Sequence, residues 1–275
     1  MRKLKRITAF PSRIFHRLQG LMYGVPCPVC ARRIVEMRQN ILSDELAATW
    51  ELSPQWRTWF DDREGTHCPL CLSSRRSQFM AASLIRHVNE RMNLSFKSLR
   101  ELTDSPAFHN LAVAELNSCG CLHPWLAHHP RLAYSEYKAT PPIRSEDLLA
   151  LSYADQTFDI VLTSETLEHV PNITRALSEL YRILKPGGVH IFTVPVVWER
   201  PTSRTCANLD SDGKLLFHRP PSYHGIAGTA AADMMVFTEF GADIIGTLEM
   251  AGFETSVERD PENPALCTFV TRRPQ

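Results

Sequence analysis

The sequence has no surplus of either charge: 30 Lys and Arg face 30 Asp and Glu across 275 residues. That balance removes the simplest electrostatic case for a general nucleic-acid binder. No stretch approaches the roughly 18 uninterrupted apolar residues that a membrane-crossing helix needs. The opening also lacks the apolar core and small-residue cleavage site of a secretory signal. The expectation is therefore a soluble, cytoplasmic protein without a transmembrane segment. Acids are missing before Glu36, whereas Arg2, Lys3, Lys5, Arg6, Arg13 and Arg17 all fall in that stretch. Residues 1–22 read as a solvated basic tail, with a weak membrane or phosphate contact, or organelle targeting, as the alternatives.

What is present is enough apolar material for a core, and an asymmetry of charge. A hydrophobic fraction of 44% excludes a disordered chain. The length allows one large domain with a small appendage. Residues 1–100 hold 17 Lys and Arg against 8 Asp and Glu, whereas 101–275 hold 13 against 22. Two regions with different surfaces are expected.

The cysteines sharpen that division. Cys27-Pro-Val-Cys30 and Cys68-Pro-Leu-Cys71 are two Cys-x-x-Cys pairs, each able to turn both thiolates toward one ion. Together they complete a tetrahedral Cys₄ zinc site with no open position for chemistry, hence a structural one. Two unrelated reduced pairs, or a redox motif, are the alternatives. The spacing requires 31–67 to fold back, and 33–50 reads as a helix, with Trp50, Trp56, Trp59 and Phe60 as apolar mass beside the site. His67 is a possible substitute ligand. Cys119, Cys121, Cys206 and Cys267 are scattered and read as small buried hydrophobes. The expected organisation is a zinc-binding module over 23–75, a helical connector over 76–104 and a larger domain over 105–275.

Phe79, Met80, Leu84, Ile85, Val88 and Met92 recur at helical spacing in the connector. Beyond it, strands are expected at Leu111–Leu116, Arg131–Glu136, Phe158–Ser164 and Val189–Val194. Helices are expected near 122–129, after the Asn172 cap, and over 238–251, with closing strands near 253–258 and 266–271. Asn172 precedes an apolar face formed by Ile173, Ala176, Leu177, Leu180, Ile183 and Leu184, and Pro186-Gly187-Gly188 is expected to stop that helix. Alternation of strand and helix implies a Rossmann-like α/β fold. Its sheet is doubly wound and mostly parallel, and ligands lie beyond the carboxyl ends of the strands.

Phe158-Asp-Ile-Val-Leu-Thr-Ser-Glu-Thr-Leu-Glu-His-Val170, followed by Arg182-Ile-Leu-Lys-Pro-Gly-Gly188 and Phe192-Thr-Val-Pro195, resembles the class I S-adenosylmethionine-dependent methyltransferases. The resemblance covers roughly 105–275. It implies S-adenosylmethionine as cofactor, with Glu115, Asn117 and Gly120 in the first loop. Glu136 would then lie on the ribose, Asp147 beside Glu146 at the adenine, and Ser164 at the tip of the third strand. A carboxylate can accept both hydrogen bonds of a vicinal diol, and acids suit a sulfonium. The sequence departs from the family in its first loop. Closely spaced glycines are replaced by Glu115-Leu-Asn-Ser-Cys-Gly-Cys121, where Asn117 can stand in for one of them. Glu115 is either a cofactor contact or a buried partner of the turn amides.

Methyl transfer needs alignment and, for a protonated acceptor, a base. Glu165, His169 and His224 are the candidate catalytic residues. Glu165-x-x-Glu168-His169 also resembles the divalent-ion segment of quinone-pathway O-methyltransferases, and His169 can alternatively be a packing residue. Residues 196–235 read as a lid or substrate loop that includes Tyr223 and His224. The implied function is methyl transfer to a small-molecule or glycan acceptor. The alternatives are an RNA or protein-factor methyltransferase that uses the basic amino-terminal region, and an inactive scaffold.

Overall fold

The computed structural model describes residues 24–223 and 235–275, together with His16, Leu18, Gln19 and Met22. Most of the basic tail and His224 lie outside the described residues. No helix among the described residues is long and apolar enough to cross a membrane.

The chain opens with an antiparallel hairpin of β1 (Val25–Pro26) and β2 (Arg33–Ile34). Residues 35–43 contain no helix, contrary to the sequence expectation. They run extended instead, with Met37 bridged to His67, and pass so close to Gly65 that a Cβ there would meet the Gln39 carbonyl oxygen at 1.8 Å. Pairing with the second knuckle overrides helical propensity in this stretch. Helices follow at Asp44–Thr49, Pro54–Gly65 and Arg75–Met92. Ser43, Ser53 and Ser74 cap their N-termini, each accepting from a backbone amide of the first turn.

The main sheet contains β3 (Val113–Leu116), β4 (Ala133–Glu136), β5 (Arg144–Ser145), β6 (Phe158–Ser164) and β7 (Leu184–Thr193). After β7 come the short pairs of β8 (Arg204–Thr205) with β11 (Thr238–Glu239) and β9 (Ala207–Leu209) with β10 (Leu215–Phe217). The strands β12 (Glu254–Arg259) and β13 (Cys267–Arg272) complete the sheet in the order β12-β13-β7-β6-β3-β4-β5. From β7 to β5 the neighbours are parallel, and β13 is antiparallel to both β7 and β12. The fold is the expected Rossmann-like α/β architecture. Instead of stopping at Pro186-Gly187-Gly188, the chain leaves the helix Ile173–Ile183 directly into β7, which carries those residues. The expected helix over 238–251 is confined to Ile244–Met250, because Thr238 and Glu239 pair with β8.

Every residue of β3 and β6 is buried, as strands covered on both faces require. Alternation along β6 sends Ile160 and Leu162 to one core and Val161 to the other. Val161 meets Leu177, Leu180 and Ile183 of the helix capped by Asn172. Ile160 and Leu162 share their core with Met80, Leu84 and Val88, and also with Cys27, Cys30 and Cys68. The cysteine module and the sheet therefore have one continuous hydrophobic interior. Trp50, Trp56 and Phe60 form a smaller cluster with Val197 and Ala265, which ties the module to the far end of the chain as well.

Oppositely charged groups of the two regions meet at this boundary. Arg63 pairs with Glu165, Arg86 with Glu258, and Arg91 with Asp159. Basic side chains of the amino-terminal region thus meet acids of the larger domain. Exposed pairs of this kind contribute about 0–1 kcal/mol. Arg63, at 1% exposure, is a different case.

Candidate active site and metal centre

Strands β3, β4 and β5 step toward one edge of the sheet, after which the chain returns to place β6 on the other side of β3. This reversal falls between the carboxyl ends of β3 and β6, the position where doubly wound sheets form their ligand crevice. The cysteine cluster lies beside it.

Each cysteine pair is built the same way. The Cys27 carbonyl accepts from Ala31 N at 3.0 Å, and the Cys68 carbonyl accepts from Leu72 N at 2.9 Å. Ala31 and Leu72 both have φ of 63°, so the chain turns sharply after the second cysteine of each pair. The sulfur atoms of Cys27, Cys30, Cys68 and Cys71 lie within 4.8 Å of one another. Cys27–Cys71 and Cys30–Cys68 are 3.8 and 3.9 Å apart. Zinc–sulfur bonds of ~2.3 Å in a tetrahedron place sulfurs ~3.8 Å apart, so the donor set fits a Zn²⁺ ion. His67 is not a fifth member. Its Nδ1 lies 2.9 Å from the Gly65 carbonyl, and its backbone bridges Met37 and Ser74.

Along the crevice, Glu115 is fully buried; its carboxylate accepts from Cys119 N and contacts His123 Nδ1, each at 2.7 Å. Burial pushes its carboxyl above the ordinary range, against the pull of those two partners. Both oxygens are thus spent on the first loop, which favours the turn-partner role over direct cofactor contact. Asn117 has φ of 59°, and its Oδ1 accepts from Tyr137 N at 2.7 Å. Gly120 also has φ of 59°, and a Cβ there would meet nothing within 4 Å. The loop therefore presents an open surface, and it needs glycine for its backbone angle rather than for clearance. Glu136, at the end of β4, accepts from Ser118 N at 3.2 Å and from the Tyr134 hydroxyl.

Asp147 is exposed, with Oδ1 accepting from Leu149 N at 2.9 Å. Its neighbour Glu146 is buried and turned toward Ser152 and Arg144. Arg182 donates to the Leu151 and Tyr153 carbonyls at 2.8 and 2.7 Å, which fastens this loop to the helix below it.

At the tip of β6, Ser164 Oγ accepts from Arg76 and lies 3.1 Å from Thr193 Oγ1. Glu165 receives both terminal nitrogens of Arg63, at 2.9 and 2.6 Å. Glu168 is 1% exposed, and burial together with the Glu165 charge raises its pKa well above the ordinary range. His169 Nδ1 lies 2.9 Å from the Met235 carbonyl, which places the proton on Nδ1 and leaves Nε2 as the basic end. Burial lowers the His169 pKa and keeps the ring neutral. Beside Glu168 a small pocket is lined by Trp50, Pro195, Val197, Arg200, Val236 and Phe240.

Residues 127–192 match the family model described as a methyltransferase domain. A demethylmenaquinone methyltransferase of Symbiobacterium thermophilum is 41% identical over 58 residues, which is 21% of this chain and 23% of that protein. A ubiquinone/menaquinone biosynthesis C-methyltransferase of Hydrogenovibrio crunogenus is 56% identical over 39 residues, 14% and 15% of the two chains. The match thus spans less than a quarter of the length of either relative. Among solved structures, 1,6-didemethyltoxoflavin-N1-methyltransferase of Burkholderia thailandensis, with bound 1,6-didemethyltoxoflavin and S-adenosylhomocysteine, aligns with a TM-score of 0.41. It is 15% identical and covers 73% of this chain and 87% of its own. Motif, sheet order and family match agree on a methyltransferase domain, which the family model locates at residues 127–192.

Sequence reading missed Arg63 and Arg76, which bind the β6 tip, and His123 and Tyr134, which stack at 4.1 Å beside Glu115 and Glu136. One signal for Arg76 was present: Arg75 and Arg76 occupy the first turn of a helix, where the dipole disfavours cations unless an acid or ligand compensates. Cys121, expected to be a buried hydrophobe, is partly exposed, and its thiol donates to the Leu72 carbonyl at 3.2 Å.

Proposed function

We propose that the protein transfers the methyl group of S-adenosylmethionine to a small, largely apolar acceptor, with a Zn²⁺ ion held by Cys27, Cys30, Cys68 and Cys71 in a structural role. The observation that supports this reading is at the sheet's switch point, where the Asn117–Gly120 loop is open at Gly120 and is tied to the Glu136 carboxylate through Ser118 N. In this assignment Glu136 takes the ribose hydroxyls, Asp147 the adenine edge, and the Asn117–Gly120 backbone with Ser164 the methionine part. Glu115 acts beneath them by holding the loop. The cofactor supplies an activated methyl group, so the chain itself must align the acceptor and exclude water.

His169 is the group proposed to take a proton from a hydroxyl acceptor, because its Nε2 is the basic end of a neutral ring. Glu165 is engaged by Arg63, which favours a positioning role at the β6 tip over proton transfer. His224 is retained as an acceptor contact and lies outside the described residues. A small, largely apolar acceptor is the class that includes the quinones named for the relatives. Divalent-ion binding by Glu165 and Glu168 is not part of the proposal, since Glu165 is committed to Arg63 and burial disfavours a charged Glu168.

The test is calorimetric titration of the zinc-replete chain with S-adenosylhomocysteine, repeated on Glu136→Ala. The reading expects micromolar-range binding that weakens tenfold or more in the variant, a change of at least about 1.4 kcal/mol. Absence of binding to the parent chain overturns it in favour of a scaffold.

A further inference from the structure

The second cysteine knuckle touches the crevice directly. Leu72 closes that knuckle in a left-handed conformation, fixed by its amide bond to the Cys68 carbonyl. Its own carbonyl then accepts from Cys121, the last residue of the glycine-poor loop, at 3.2 Å. Two residues on, Ser74 caps the helix Arg75–Met92. Its first turn aims Arg76 at Ser164 on the β6 tip, and Glu64 accepts from Arg76 Nε at 2.7 Å. The helix that carries Arg76 also packs against the turn Gly120–Leu122 at the end of that loop. It thus joins the loop after β3 to the tip of β6, the two edges of the crevice. Arg63, from the preceding helix, fixes the next residue, Glu165.

Resting on the function proposed above, we infer that the cysteine module is a wall of the cofactor cleft. Its second knuckle holds the Asn117–Cys121 loop, and Arg76 provides a cationic contact for the cofactor's carboxylate, so that zinc and cofactor bind cooperatively. A loop with closely spaced glycines would shape itself around the ligand. Here the backbone is less permissive, and its position is set from outside the domain by a metal-locked turn. Loss of the ion frees Leu72 and the start of the Arg75–Met92 helix, and with them Cys121 and Arg76. Linkage makes the effect reciprocal: whatever factor zinc adds to cofactor affinity, the cofactor adds to zinc affinity.

The experiment uses the full zinc-loaded chain and S-adenosylhomocysteine as probe. Zinc release to a chromogenic chelator is followed with and without saturating probe, and probe affinity is measured calorimetrically for the parent and for Arg76→Gln. The expected results are release slowed about tenfold by the probe, and affinity about tenfold weaker in Arg76→Gln with zinc content unchanged. Because the release arm starts from folded, loaded protein, unfolding of a stripped chain does not obscure it. Unchanged release kinetics together with unchanged Arg76→Gln affinity overturn the inference while leaving the methyltransferase reading intact. A zinc-replete parent that binds no probe defeats that reading itself, and a purified chain that contains no zinc defeats the metal assignment; either also overturns the inference.

Discussion

In the cysteine module each half repeats the other: a Cys-Pro-x-Cys turn, a left-handed residue with φ of 63°, and a carbonyl-to-amide closure at 3.0 or 2.9 Å. In the crevice no element repeats. Glu115 is consumed by a turn amide and a histidine, Glu136 is shared between Ser118 and Tyr134, and Glu165 is held by an arginine from another region. A metal centre can be specified by short-range spacing, because the ion itself organises four identical donors. An organic cofactor meets different groups at each of its ends, and those groups are brought into place by tertiary contacts. The contrast separates what is local in this molecule from what is cooperative.

The largest expected effect comes from breaking the local part. Cys68→Ser removes a donor whose thiol lies in the shared core, and metal-binding energy is folding energy in such modules. Loss of bound zinc by elemental analysis should accompany a destabilisation of at least ~3 kcal/mol, or a fall in Tm of about 10 °C. A variant that keeps its Tm would show that the module is held by its apolar contacts alone.

Breaking the cooperative part should cost about as much and be repairable. Arg63→Met leaves the partly buried Glu165 without its bidentate partner, and removing one member of a buried pair costs ~3–5 kcal/mol. Adding Glu165→Gln should recover much of that loss in a denaturant-unfolding double-mutant cycle. An additive pair of losses would contradict the coupling assigned to the β6 tip.

The comparison also accounts for what the sequence allowed one to see. Both cysteine pairs, β6 with its Ser164 tip, and the Asn172 cap lie in short windows where spacing or alternation alone decides the outcome. Residues 35–43 do not, because their extended course depends on Met37 meeting His67, thirty positions away in the fold of the second knuckle. The partners of Arg63 and Arg76 were invisible for the same reason: nothing near either arginine in sequence names Glu165 or Ser164. The role of Glu115 was open between two alternatives until Cys119 and His123 were seen on its two oxygens.

A third prediction concerns pH. His190 is completely buried, with burial pushing its pKa down to about 3, and that of His87 is down to about 4. Both rings are neutral in the folded chain and bind protons on unfolding below about pH 6.5. Their contribution is therefore complete above that pH and is lost as pH falls toward 4, at up to ~1.4 kcal/mol per pH unit for each ring. Urea unfolding across pH 4–7 should show a shallower slope in His87→Leu than in the parent. An identical slope would assign the acid sensitivity to the thiolates and carboxylates instead.

The smallest effect tests a purely local feature on the methyltransferase side. Asn172→Ala removes the side chain that accepts from Arg175 N at 3.0 Å and should cost ~1 kcal/mol in the same assay. A much larger loss would mean that this helix start is also coupled to the crevice.

The account stands most directly on one measurement: a crystal structure of the chain grown with zinc and S-adenosylhomocysteine, with anomalous data at the zinc edge. It predicts one zinc peak among Cys27, Cys30, Cys68 and Cys71. It also predicts the cofactor product along Asn117–Gly120, with its ribose on Glu136 and its carboxylate toward Arg76. A product bound away from Arg76, or a zinc peak at Glu165 and Glu168 in place of the four cysteines, would contradict it.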